Sequence, residues 1–143
     1  MLFRSVVDDE LAQWLGCVAG YPWWEIHTRR QHESGDAVVA SSLIWVPDNF
    51  ADAVAELEHT AEPLFMLIER LHRCTFAEIR QTILMANAEP KEAEDLSIYP
   101  GTPVMCMERR FTDERGGLLE ISRTVHPASS FSYGATLRRV VGV

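Results

Sequence analysis

Positive charge is scarce in this chain of 143 residues, where 13 lysines and arginines stand against 21 aspartates and glutamates. The net charge of -8 opposes the phosphate backbone of duplex DNA, so the chain by itself is not expected to bind it. A C2H2 pattern and a basic recognition helix are both missing. No apolar run approaches the roughly 18 residues that a membrane span needs. The opening "MLFRSVVDDELAQW" lacks an apolar stretch followed by a small-residue cleavage site, so no secretory leader is read. Cysteine is sparse as well. Cys17, Cys74 and Cys106 are odd in number and have no CxxC spacing. That excludes a disulfide framework or a cysteine zinc site and suits a reducing cytoplasm. His27, His32, His59, His72 and His126 show no HExxH spacing, so no metal site is expected. There is no nucleophile motif and no glycine-rich phosphate loop, and neither catalytic residues nor a cofactor are predicted.

What is present is ordinary globular composition, 47% hydrophobic and 24% charged, in a length that fits one domain over residues 1–143. Within it a phrase is written twice, "GYPWWEIHTRR" at residues 20–30 and "GTPVMCMERR" at 101–110. An ungapped shift of 81 positions pairs Ala12 with Ala93, Leu15 with Leu96, Gly20 with Gly101 and Pro22 with Pro103. It goes on to pair Arg29 with Arg110, Glu33 with Glu114, Gly35 with Gly116, Ser41 with Ser122 and Phe50 with Phe131. These are nine identities over the 41 positions from Glu10 to Phe50, where chance gives roughly two or three. The pseudo-repeats cover about 8–50 and 89–131.

Each copy reads as helix, turn, strand, turn, strand. "DDELAQWLG" opens on carboxylates, as a helix N-terminus favours, and "EPKEAEDLSI" has the same shape. Gly-x-Pro breaks the chain, and "ESGD" and "ERGG" make each following strand pair a hairpin. Between the copies, Leu64, Met66, Leu67, Ile68 and Leu71 lie at helical spacing behind Pro63. The alternation in "TFAEIRQTILMANAEP" predicts a long strand bridging the two halves. The tail "SYGATLRRVVGV" reads as a last strand. The expected fold is α+β, an antiparallel sheet of about six strands with packed helices. Trp23 and Trp24 are expected to divide between the core and a helix, and the cysteines to pack as small hydrophobes.

Residues 89–139 resemble the C-terminal half of the UTRA domain, the effector-binding domain of HutC-type GntR regulators. The resemblance rests on Leu96, Gly101-Thr-Pro103, Arg109, the turn from Asp113 to Gly117, Glu120 and Phe131. The first copy is similar to the opening hairpin of that family, down to Val46-Pro47 after its second strand. The resemblance implies a chorismate lyase-like fold, a cytoplasmic homodimer and a small-molecule effector. It also implies DNA contact only through a separate winged helix-turn-helix domain, N-terminal to this chain and outside it.

The family commonly offers two arginines at alternate positions of the first-hairpin strand, and these fall on Thr28 and Arg30. Its acid on the return strand falls on Ser42, its second acid on Glu120, and a tyrosine six residues later on His126. The resemblance therefore implies a ligand site of Arg30, Thr28, Ser42, Glu120 and His126. A guanidinium grips a carboxylate or phosphate through two parallel hydrogen bonds. The charge losses at Thr28 and Ser42 favour a carboxylate or other small anion over a sugar phosphate. By the period of two, Glu120, Ser122, Thr124 and His126 share one strand face, and Leu119, Ile121 and Val125 the other. That polar file could equally be a solvated sheet face, and Arg30 a surface arginine. Arg29, Arg109 and Arg110 are read as structural, paired with Glu25, Glu108 and Glu120. The alternatives to a sensing domain are a chorismate lyase-like enzyme, since fold does not settle function, and a dimerisation module.

Overall fold

The computed structural model describes residues 2–35 and 37–140. Its elements are β1 (Leu2–Val6), α1 (Asp9–Leu15), β2 (Pro22–Gln31), β3 (Val38–Pro47), α2 (Ala51–Glu56), α3 (Leu64–His72), β4 (Phe76–Asn87), α4 (Pro90–Leu96), β5 (Pro103–Asp113) and β6 (Leu118–Pro127). Short 3-10 turns follow β3 and β6, at Asp48–Phe50 and Ala128–Ser130. The six strands form one antiparallel sheet in the order β1-β2-β3-β6-β5-β4. The α+β fold expected from the sequence is present, and it is palindromic. Each half reads strand, helix, hairpin, and the halves meet where β3 pairs with β6.

The duplication is longer than its identities suggest. β1 and the end of β4 occupy equivalent outer edges, each leading into a short helix. The helices end alike, on residues in the left-handed region: Gly16 at φ 72 after α1 and Ser97 at φ 56 after α4. Gly20 (φ 86) and Gly101 (φ 84) then make the same turn, donating their amides to Val7 and Ala88. A side chain would be strained at that φ, which explains why glycine stands in both copies.

The shift of 81 does not hold to the end. In the first hairpin the His32 amide bonds to the Ala37 carbonyl, whereas in the second the Asp113 amide bonds to that of Gly117, a turn one residue shorter. Beyond the turns the true offset is 80, and Pro47 corresponds to Pro127. The identities Ser41/Ser122 and Phe50/Phe131 are therefore coincidences of the ungapped shift. Ser41 is buried beneath α4, its hydroxyl donating to Asp95 at 2.8 Å, whereas Ser122 faces the opposite side of the sheet.

Each sheet face is covered differently. α1 and α4 pack on the back face, α1 over Trp23, Trp45 and Ile121, and α4 over Val104, Cys106 and Val125. α2 and α3 pack on the front face, over Ile26, Val46, Phe111 and Leu119. Leu67 and Ile68 of α3 are fully buried there, each contributing about 1.5–3 kcal/mol through burial. Met66, at helical spacing but on the outer side, is 46% exposed and is not part of the core. Trp23 lies in the back core, and Trp24 packs against the front cluster while its indole donates to Asp48. The cysteines pack as expected, and burial pushes the Cys106 thiol up to about 11.

Three expectations about strands are corrected. β4 does not bridge the halves. It lies at the sheet edge, paired with β5 alone, because the hairpin-to-hairpin contact of β3 and β6 already joins them. Residues 133–140 carry no strand, and 141–143 lie outside the described residues. The sixth strand is instead β1, at the opposite end of the chain. Its short segment precedes the helix and was hidden beside it. A bulge where Phe111 meets Glu120 and Thr112 meets Leu118 also breaks the expected alternation. It leaves Leu119 packed with Phe111 on the front face, while Ile121 packs on the back.

Candidate functional site

α2 and α3 cover only one end of the front face. At the other end the sheet floor is bare, and a cavity of about 520 Å³ opens over it. The register decides its floor. Thr28 pairs with Ser42, Ser42 with Thr124, and Thr124 with Met107, so one row crosses four strands. Along this row the Ser42 and Thr124 hydroxyls lie 2.8 Å apart. One step toward the open end stand Arg30 and His126, and one step toward α3 stand Ser122 and Arg109. The segment after β6 forms a wall, with Ser130, Phe131 and Ser132 at the cavity and the Phe131 ring 5.0 Å from that of His126.

Four of the five residues expected at a ligand site, Arg30, Thr28, Ser42 and His126, line this one cavity. Glu120 does not. It is on the expected face, but α3 covers that end, and the residue is 5% exposed. There it accepts the backbone N–H of Phe65, in the first turn of α3. Pro63, at the N-cap position, makes no side-chain cap hydrogen bond, so Glu120 supplies from the sheet a partner for an otherwise orphan amide. Burial raises its pKa to about 7, against the opposing pull of the Arg109 charge.

Of the arginines assigned by sequence to carboxylate pairs, Arg109 acts on Glu120 through its charge, while the hydrogen bonds of Arg109 and Arg110 go elsewhere. The Arg110 guanidinium donates to the carbonyls of Trp14 and Leu15, both at 2.9 Å, and closes the C-terminus of α1. Its role is structural, but its partners are carbonyls, as a cation at a helix C-terminus favours. Arg29 and Arg109 both border the cavity. Arg109 is steadied by its cross-strand neighbour, its Nε donating to Gln81 Oε1 at 2.7 Å. Glu25 instead accepts the Trp45 indole N–H, and Glu108 faces Arg123 at 3.6 Å. The alternation of β5 could have put Arg109 on the same face as Phe111. Only the β5–β6 register shows that this face carries the cavity.

Among the described residues the charged ones bordering the cavity are Arg29, Arg30 and Arg109, with His126 beside them, and none of its described lining residues is a carboxylate. In a chain of net charge -8 that is a local reversal of sign. Burial, then the Arg30 charge, lowers the His126 pKa, so the ring is neutral at pH 7. Guanidinium and hydroxyl groups over a sheet floor can hold an anion with polar substituents. A second cavity, about 450 Å³, lies on the back face between α1 and α4, over Leu43 and Trp45 of the sheet, and is edged by charges of both signs, among them Asp8, Glu89, Lys91 and Arg123. Among the described residues no cluster of histidine, cysteine and carboxylate side chains could hold a metal ion. Among the described residues no helix is long and apolar enough to cross a membrane.

The UTRA domain family pattern matches residues 4–132. A GntR-family transcriptional regulator from Bacillus cereus superposes with a TM-score of 0.84 at 16% identity, over 96% of this chain and 94% of that one. The effector domain of PhnF from Mycobacterium smegmatis gives 0.75 at 20% identity, over 97% and 84%. A GntR-family transcriptional regulator from Enterococcus faecalis V583 gives 0.79 at 16% identity, over 96% and 96%. At these identities the likeness is one of fold. No curated protein sequence matches the chain.

Proposed function

The chain belongs to the UTRA domain family, and from that premise we propose that it is the effector-sensing domain of a GntR-type regulator of the HutC class. It binds a small anionic metabolite of the cytoplasm in the front-face cavity, with Arg30 as anchor. Binding there resets a winged helix-turn-helix domain on the N-terminal side, which alone touches DNA. The observation that carries this reading is the cavity itself, bordered by cations and hydroxyls in an acidic chain.

The domain acts as a homodimer. The apolar residues of β2 and β3 are consumed within the chain, but β4 leaves a 12-residue edge paired on one side, with Ile79 and Met85 exposed. A two-fold partner would cover that edge.

The test is ligand stabilisation. A saturating effector at about a hundred times its dissociation constant adds roughly 2.7 kcal/mol of stability, visible as a rise in melting temperature. Arg30→Ala removes a charge-assisted pair, about 1.5–3 kcal/mol, and should weaken binding roughly ten- to a hundredfold. The unliganded fold should be little changed, because Arg30 is exposed. Arg30→Ala binding a verified anionic effector as tightly as the parent would overturn the site. Release of 4-hydroxybenzoate from chorismate would replace sensing with catalysis.

A further inference from the structure

Arg30 and Arg109 stand at opposite corners of the cavity floor. From β2 to β5 there are three strand steps, and the row of Arg30 lies two pairs from that of Arg109. At about 4.8 Å per strand step and about 3.4 Å per residue over four residues, their Cα atoms are roughly 20 Å apart. An extended arginine carries its guanidinium about 6 Å from Cα, given bond lengths near 1.5 Å. Arg109 cannot use that whole reach toward Arg30, because its Nε is tied to Gln81 on β4, the outer side. One carboxylate or phosphate therefore cannot touch both arginines. Between them the floor offers the Ser42–Thr124 hydroxyl pair and Ser122.

Resting on the assignment of this cavity as the effector site, we propose that the effector is an elongated dianion. One acidic group is held by Arg30 and the other by Arg109, and hydroxyl-bearing carbons lie across the serines and threonine between. Arg109 is thus a specificity-determining residue that separates dianions from monoanions of the same length. Among the described residues its one hydrogen bond is that to Gln81, which leaves guanidinium N–H groups to take a carboxylate or a phosphate, and either can supply the second acid.

The experiment compares probes that differ only in the second acid: glucarate, 6-phosphogluconate and gluconate, titrated calorimetrically into the parent chain, Arg30→Ala, Arg109→Ala and Arg115→Ala. Arg115, on the exposed β5–β6 turn, is the control. The expected result is a preference of roughly ten- to a hundredfold for a dianion over gluconate in the parent. Arg109→Ala should abolish that preference by weakening the dianions far more than gluconate, while Arg30→Ala weakens both. Whichever of glucarate and 6-phosphogluconate binds better identifies the second acid as carboxylate or phosphate. Equal binding of gluconate and the dianions by the parent, or equal loss of both in Arg109→Ala, would overturn the proposal and leave the anion site standing. Binding of none of the three, or binding indifferent to both arginines, would overturn the anion site as well. The circular dichroism of each variant shows whether an altered affinity reflects a damaged fold.

Discussion

Replacing Glu120 with glutamine probes the junction of α3 with the sheet. The residue is 5% exposed, and burial moves its carboxyl from its ordinary 4.5 to about 7 despite the Arg109 charge and the Phe65 amide. In the unfolded chain it titrates near its ordinary value. Between those two pH values the folded state keeps a proton that the unfolded chain has released, so stability falls as pH rises. The contribution is complete below about pH 4.5 and lost above about pH 7. A gap of two to three pH units at about 1.4 kcal/mol each amounts to about 3 kcal/mol. Glutamine has nearly the same shape, keeps an oxygen to accept the Phe65 N–H, and does not ionise. Urea unfolding of parent and Glu120→Gln from about pH 4 to pH 8 should show their stability difference moving by about 3 kcal/mol in the variant's favour. For a domain of this size that corresponds to roughly 6–12 °C in melting temperature. Parallel curves for the two proteins would refute the reasoning, because they would mean that Glu120 titrates alike folded and unfolded.

Arg110→Ala removes two hydrogen bonds from a charged donor to the last carbonyls of α1, and should cost about 2–4 kcal/mol in urea unfolding while leaving anion binding intact. Loss of anion binding without loss of stability would contradict that placement. His126 is neutral at pH 7 because burial and Arg30 lower its pKa; anion affinity should rise as pH falls through that lowered value, and His126→Asn should flatten the rise measured by calorimetry. Light scattering at tens of micromolar protein should return a dimer mass, and Ile79→Lys with Met85→Lys on β4 should return a monomer. A monomer mass for the parent would refute the dimer.

Some elements were open to reading in the sequence because their signals are local. The hairpins of "WWEIHTRRQ" and "VMCMERRFT", their glycine turns, the two short helices and the doubling of the whole unit follow from periods and turn chemistry within a few residues. β1 was not legible. Five residues ahead of a helix carry too little period to declare a strand, and their reason for being extended is β2, from Pro22 to Ile26. The tail erred in the other direction, since "SYGATLRRVVGV" alternates as a strand does but has no partner among the described residues. One residue of difference between the two hairpin turns was invisible to an ungapped comparison, yet it shifts Ser41 to the back face and Ser122 to the front.

The sequence by itself determined that a helix-hairpin unit is written twice, and that Arg30, Thr28, Ser42 and His126 belong together, since alternation and the family resemblance both act through backbone period. The tertiary structure alone decided what lies above those faces. α3 covers one end of the front face, so Glu120 caps a helix there, while the other end stays open and the cavity forms. The same packing left Arg109 at the border of that cavity, with its charge still acting on Glu120 under α3. Period places a side chain on one side of a sheet. Whether it meets a helix or solvent there depends on contacts between segments more than fifty residues apart, which no local pattern encodes.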